Sequence, residues 1–312
     1  MEPFRTNQTD PSSEKSFIIY VLMQTTRREF IKLSAGLGCG MGVGMALTSN
    51  PEAQGAEAQA GTRIPVGFQL YTVRGEFERE VPGTLQKLGK LGYKGVEFWG
   101  YAGTPAVYQK YTAAELRKML DDSGLKCCGM HLELKALAAE NLKRTIENNL
   151  TLSSQYLNVA AAKEKMSSEA GIAELAKFLN ETAQKCQAQN LLVGYHAHPF
   201  DFEKINDRFA WDLLFSQTEP AVNMQMDVGN CLSGKGDPIA MLKKFPGRTR
   251  SIHIKEHQEK TFDSEFYKEV FQLCETSCGT KWYIVEMGGR DGNGFEVPQS
   301  ALEKLRKVGK VA

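Results

Sequence analysis

The sequence predicts an α/β fold, a (β/α)8 TIM barrel in a single domain, on three observations. From Val66 onward, short apolar runs rich in β-formers alternate without a break with stretches of helical periodicity. Eight such runs fall within roughly 250 residues, the count and length of a closed (β/α)8 barrel. Several runs end in His, Asp or Glu, and barrel enzymes carry their chemistry at the C-terminal rim of the strands.

The eight runs are 66–71, 95–98, 126–131, 156–160, 191–196, 222–227, 249–253 and 282–286. Helical periodicity occupies 81–91, with Leu85, Leu88 and Leu91 on one stripe, and 113–123, with Leu116, Met119 and Leu120. It returns over 170–189, 266–278 and 297–308. Gly92, Gly124 and Gly279 punctuate helix-to-strand turns. The competing fold, a doubly wound open sheet, carries a glycine-rich phosphate turn after its first strand. Here Gln69-Leu70-Tyr71-Thr72-Val73-Arg74 stands in that place.

Residues 1–60 read as an N-terminal extension outside the barrel, which spans 61–312. Arg27-Arg28 precedes a mild, glycine-rich apolar stretch over 33–47, and Ala58-Gln59-Ala60 offers a small-x-small cleavage site. This pattern predicts a twin-arginine signal and a periplasmic protein, with Met23 a candidate start. The apolar stretch is too short and too rich in glycine for a good membrane anchor, so no stable membrane insertion is expected after cleavage. Gly36-Leu37-Gly38 before Cys39 is a poor lipid-attachment box. The six cysteines beyond it form no CxxC pair and are expected as buried free thiols, although Cys274 and Cys278 lie one helical turn apart. A net charge of +1 disfavours nucleic acid as the main partner.

Strand alternation sorts the side chains by face. In the third run Cys127, Gly129, His131 and Glu133 share one face. Asn223, Gln225 and Asp227 do so in the sixth, and Ser251, His253 and Lys255 in the seventh. The opposite faces are apolar, as helix-covered faces must be. A buried carboxylate or imidazole without a partner costs several kcal/mol or neutralises itself, roughly as the transfer and pKa data indicate. Several of them converging on one mouth need a shared cation or a tight hydrogen-bond network. The best ligand candidates are four strand ends: His196, Asp227, His253 and Glu286. A mixed His/Asp/Glu set does not choose among the first-row divalent ions.

Around them, Lys255 faces the same cavity as His253 and reads as a holder of an oxyanion or as a solvated rim lysine. Glu97 reads as a second acid/base carboxylate beside Glu286, or as a salt bridge across the barrel. Tyr71 and Trp99 read as walls for the C–H face of a sugar, or as plain packing. His131, His198, Gln69 and Asn230 complete the expected substrate-binding set.

Taken together, Gly95-Val96-Glu97-Phe98, Gly194-Tyr195-His196-Ala197-His198, Asp227-Val228-Gly229-Asn230, Ser251-Ile252-His253-Ile254-Lys255 and Val285-Glu286 resemble the xylose isomerase-like barrel family, in its sugar phosphate isomerase/epimerase branch. The likeness runs from about residue 64 to residue 310. It implies one divalent metal ion (Mn, Zn, Co, Fe or Mg) held by Glu, Asp, His and Glu from strands five to eight. Asp227, His253 and Glu286 match the last three positions, while His196 stands where the family has Glu. In the family's epimerases those two glutamates form the acid/base pair, so Glu286 needs Glu97 or Glu133 as a substitute partner. The activity implied is isomerisation or epimerisation of a sugar or keto-sugar through an enediolate. Elimination from an oxidised glycoside and non-catalytic carbohydrate binding remain as alternatives. The resemblance also implies a small-molecule sugar as partner and pairing of copies. The related apurinic endonucleases need more metal ligands and a basic groove, which the charge balance does not supply.

Overall fold

The structure, a computed structural model, describes residues 63–287 and 294–311. The chain divides into two units, Met1–Gln59 and Ala60–Ala312, and every described residue belongs to the second. The paired arginines and the cleavage motif therefore lie outside the described residues.

Eight parallel strands make the barrel: β1 Val66–Gln69, β2 Gly95–Tyr101, β3 Lys126–Leu132, β4 Tyr156–Val159, β5 Leu192–His196, β6 Asn223–Gln225, β7 Ser251–Ile254 and β8 Trp282–Val285. Their order in the sheet is β6-β5-β4-β3-β2-β1-β8-β7. The remaining seam lies between β6 and β7. Met224 N donates to Arg248 O at 2.8 Å, His253 N donates to Met226 O at 2.8 Å, and Asp227 and His253 form a parallel bridge. The seam is thus narrow, and two candidate ligands stand on it.

The helices are α1 Arg74–Arg79, α2 Val81–Leu91, α3 Ala113–Asp122, α4 Ala139–Leu152, α5 Glu169–Cys186, α6 Ala210–Gln217, α7 Val228–Ser233, α8 Pro238–Lys244, α9 Glu265–Thr276 and α10 Glu296–Lys307. The five expected from periodicity begin and end within two residues of their expected bounds, apart from α5, whose last turn tightens to a 3-10 helix. Sequence-local reasons are visible. Thr112 and Glu115 close a capping box on α3, and Leu116 and Leu120 are its buried stripe. Ser168 caps α5, which buries Ile172, Leu175 and Leu179. Gly92, Gly124 and Gly279 all take positive φ (113°, 66° and 72°).

Helix α4 carries Thr145, Asn148, Asn149 and Thr151, which weaken helical propensity, and it has no side-chain cap. Tertiary contacts hold it: Thr145 Oγ1 donates to Ala136 O at 2.6 Å and Leu142 is buried. Outward strand residues such as Val66, Phe68, Val96, Phe98, Ile252 and Ile254 form the apolar layer beneath the helices and are fully or almost fully buried. At roughly 25 cal/mol per Å2 this layer is the main stabilising term.

One expectation about facing needs correction. Strict alternation put Cys127 inside the barrel with Gly129 and His131. The register shifts between Val96 and Glu97, so Val96 pairs with Cys127 but Glu97 pairs with Gly129. The bypassed residue, Cys128, fills the barrel interior instead: its Sγ lies 2.6 Å from where a Cβ on Gly67 would stand. Six cysteines, Cys127 and Cys128 among them, are buried free thiols. Among the described residues, no helix is long and apolar enough to cross a membrane.

Candidate metal centre and active site

The barrel interior holds a polar layer that is almost wholly sealed. Gln69, Glu97, Asn158, Gln225, Asp227, Ser251 and His253 are each 0% exposed. Such groups are tolerable only when hydrogen-bonded, and the strands supply partners to one another. Asn223 Nδ2 donates to Asn158 Oδ1 at 3.0 Å. Gln225 is the hub. Its Nε2 donates to Glu97 Oε1 (2.8 Å) and Ser251 Oγ (3.1 Å), and its Oε1 lies 2.8 Å from His131 Nε2.

Above this layer, four side chains converge. His196, Asp227, His253 and Glu286 each offer an atom within 4.8 Å of all the others. His253 Nδ1 is 2.8 Å from Glu286 Oε2 and 3.9 Å from Asp227 Oδ2, and His196 Nε2 is 3.8 Å from Glu286 Oε2. Ligand atoms about 2.1 Å from a shared cation stand roughly 3–3.4 Å apart, so small adjustments would close this set on an ion. His131, His196 and His253 form an overlapping group, with ring centroids 4.3–5.2 Å apart.

Three observations show that the spot suits positive charge. Among the described residues, Asp227 Oδ2 and His196 Nδ1 are buried without a hydrogen-bond partner. Burial disfavours a charged His253, yet Glu97 and Glu286 outweigh it and push the imidazole up to about 10. An ammonium also leans in: Lys255 Nζ is 2.9 Å from Asp227 Oδ2, off the hydrogen-bonding direction, and 3.9 Å from Glu286 Oε2. The donor set, two imidazoles and two carboxylates, is one that divalent transition metals accept.

Local sequence explains the placement. Asp227 caps α7, with Oδ1 accepting from Asn230 N at 2.7 Å, which leaves Oδ2 turned to the cluster. Gly229 leaves the path for Lys255, because a Cβ there would lie 2.3 Å from Lys255 Cγ. Burial lowers His196 well below the usual imidazole range, helped by its neighbours His131 and His253, so it is a neutral donor. Burial also raises Asp227, to about 6, against the pull of Lys255. Glu286 goes the other way. Burial works against its charge, but the hydrogen bond to His253 and the charges of His253 and Lys255 hold it well below the usual carboxylate range.

The remaining expected residues divide into three groups. Gln69, His131 and Asn230 are engaged internally. Gln69 Nε2 donates to Glu97 Oε2 (2.8 Å) and its Oε1 accepts from Tyr71 N (3.1 Å). His131 is held between Gln225 and Glu97, and Asn230 ties Ala197 O (2.9 Å) to Lys255 Nζ (3.0 Å). Glu97 is sealed, and Glu133 is a half-exposed side chain paired with Lys135 at 2.8 Å. Neither therefore stands across the cluster as an open acid/base carboxylate. Tyr71, Trp99 and His198 remain toward the mouth. Tyr71 is 47% exposed and packs edge-on against Trp99, with centroids 5.7 Å apart, and His198 stacks on Phe200 at 5.3 Å.

Sequence reasoning missed Gln225 and Ser251 as site-forming residues, although both share a face with a ligand candidate two residues on. It also missed Asp201. That side chain is fully buried, accepts from Tyr195 Oη (3.0 Å) and His198 N (2.7 Å), and ties down the turn after β5. Nothing in the Pro199-Phe200-Asp201-Phe202 run marks it beforehand.

The profile of a family described as a xylose isomerase-like TIM barrel matches residues 85–308. Among solved structures, a sugar phosphate isomerase/epimerase from Parabacteroides distasonis superposes with a TM-score of 0.68 at 22% identity, covering 84% of this chain and 100% of that one. A D-allulose 3-epimerase from Methylomonas sp. gives 0.60 at 11% identity, over 78% and 98% of the two chains. These are likenesses of fold. An inosose dehydratase from Clostridium tetani is 30% identical over 87 residues, a stretch covering 28% of each chain.

Proposed function

The chain belongs to the xylose isomerase-like TIM barrel family, and from that premise we propose that it catalyses divalent-metal-dependent proton transfer beside the carbonyl of a sugar or keto-sugar. The observation that carries this reading is the convergence of His196, Asp227, His253 and Glu286 from the ends of four successive barrel strands. The relatives named above include isomerase/epimerases and a dehydratase. Both reactions open with removal of a C–H proton next to a carbonyl. A cation held by these four residues (Mn, Zn, Co, Fe or Mg) supplies the Lewis acidity that makes such a C–H labile.

Glu286 is the base in this scheme. It is the cluster's carboxylate with solvent access, its side chain 17% exposed, and it stays ionised. Lys255, also 17% exposed, presents an ammonium to the oxyanion that develops on the substrate. His198 orients a hydroxyl, and Tyr71 and Trp99 pack the apolar face of the sugar ring.

Elimination is a second reading, favoured by one observation. Across from Glu286 stands neutral His196, with Nε2 3.8 Å away, and not a second carboxylate. Returning a proton to the opposite face needs a second acid there. Expelling a β-leaving group from an oxidised glycoside does not. The deciding experiment incubates the metal-loaded protein with a keto-sugar panel in D2O. Deuterium in an isomerised or epimerised product supports the first reading, and release of an aglycone or water supports the second. Tight sugar binding with no exchange would sink both and leave a carbohydrate-binding protein.

The proposal extends to location: residues 1–60 act as a twin-arginine leader that delivers a barrel spanning 61–312 to the periplasm. N-terminal sequencing of protein recovered from a periplasmic fraction tests it, with Arg27→Lys/Arg28→Lys as the blocked control. Sedimentation of the mature chain tests pairing of copies.

A further inference from the structure

We infer that Glu97 is a positioning residue: sealed beneath His253, its carboxylate holds the proton on Nε2 so that Nδ1 points into the ligand cluster. The inference rests on the metal-centre reading above and assigns a role to a side chain that the proton-transfer scheme leaves without one.

The geometry is specific. Glu97 Oε2 lies 2.6 Å from His253 Nε2, 2.8 Å from Gln69 Nε2 and 3.1 Å from His131 Nε2. Its Oε1 takes Gln225 Nε2 at 2.8 Å. Side chains from β1, β3, β6 and β7 thus close on one carboxylate that is 0% exposed. No substrate proton reaches a group so enclosed. An ionised carboxylate only accepts hydrogen bonds, so the imidazole nitrogen facing it carries the hydrogen. The other nitrogen, Nδ1, is the one 2.8 Å from Glu286 and 3.9 Å from Asp227; facing an ionised carboxylate it too carries a hydrogen when no cation is bound, and that hydrogen is the one a cation would displace. A carboxylate behind a ligating histidine fixes the ring and makes it a better donor. Because His196 contributes no charge, this added donor strength bears directly on affinity.

Gly129 belongs to the same device. A Cβ there would lie 2.2 Å from Glu97 Oε1. The register shift in β3 brings this glycine opposite Glu97, giving the carboxylate its room. Gly129→Ala therefore displaces Glu97 without touching any proposed ligand.

The test uses the protein labelled with 15N at histidine, metal-free and with Zn2+ added. In the wild type, His253 Nε2 keeps a bonded, slowly exchanging proton in both states. In Glu97→Gln and Gly129→Ala that proton exchanges faster, and Zn2+ affinity falls about 10- to 100-fold, the range typical for loss of such a partner. Circular dichroism checks the fold, and if Glu97→Gln does not fold, Gly129→Ala decides. An unprotonated Nε2 in the wild type overturns the inference, as does unchanged Zn2+ affinity in a folded variant. A wild type that shows the Nε2 proton but binds no Zn2+ overturns the metal reading alone, because the proton is read without metal.

Discussion

The floor and the mouth of the barrel treat the same functional groups differently. His253 has a carboxylate on each ring nitrogen, Glu97 below and Glu286 above. Both lie within 3 Å of the imidazole, and both are held ionised by it. Glu97 accepts from donors on several strands and is closed to water, whereas Glu286 has the imidazole, the ammonium and the open mouth. Depth along the barrel axis therefore sorts carboxylates by task. A sealed one, saturated with donors, holds other side chains in place, and one at the rim keeps the solvent access that the proposed proton transfer needs.

That contrast breaks most visibly under paired substitutions. Gln225→Leu removes the hub of the floor and leaves Glu97 and His131 each short of a partner. It is expected to lower unfolding free energy by roughly 3–5 kcal/mol, the range for breaking a buried charged network, read from urea titration. Glu286→Gln at the mouth is expected to lower turnover about 10²- to 10⁴-fold, the range for loss of a general base, with the urea midpoint little changed. Equal effects of both variants on stability would erase the distinction between floor and mouth.

Asp227→Asn probes the boundary. Its Oδ1 can still accept from Asn230 N, so the cap on α7 survives, but the charge facing the cluster goes. The expected outcome is at least a tenfold loss of divalent-metal affinity, about 1.4 kcal/mol, by isothermal titration, with Lys255 left to Asn230 Oδ1 and Glu286. Full metal occupancy in this variant would remove Asp227 from the ligand set.

The same contrast shows what the sequence makes legible. Barrel strands announce themselves because apolar outward residues alternate with inward ones, and six strand ends carried a His, Asp or Glu that a plain core has no use for. All the proposed ligands could therefore be picked out. The network below them was not legible. A Gln or Ser on an inward face, such as Gln225 or Ser251, reads as ordinary polarity until the partner strand is in register. Glu97 looked catalytic because its burial depends on donors more than 100 residues away. The bulge that turns Cys128 inward and clears Gly129 is set by pairing with β2 and leaves no local mark. Helix α4 was missed for the opposite reason, its polar residues being held by contacts that propensity ignores.

Asp201 sharpens the comparison through the pH dependence of stability. It is as sealed as Glu97, at 0% exposure, but among the described residues its hydrogen-bond partners are Tyr195 Oη and the His198 N–H, with no imidazole or ammonium among them. Burial pushes it up to about 8, while two imidazoles pull Glu97 below the usual range against the same burial. Sealing and charge pairing are thus separable. Between about pH 4 and pH 8 the folded state holds a proton on Asp201 that the unfolded chain has released, given an unfolded value near 3.9. The contribution is fully present below the unfolded value and is lost as pH rises through the folded one. Wild-type stability should therefore fall by about 1 kcal/mol per pH unit across that window from this group, an order-of-magnitude figure. Asp201→Asn removes the titration, so wild-type stability minus that of the variant should fall steadily from pH 5 to pH 8 in urea titrations. Parallel pH profiles for the two proteins would show that Asp201 is ionised in the fold, and that sealing alone does not set a carboxylate's charge in this barrel.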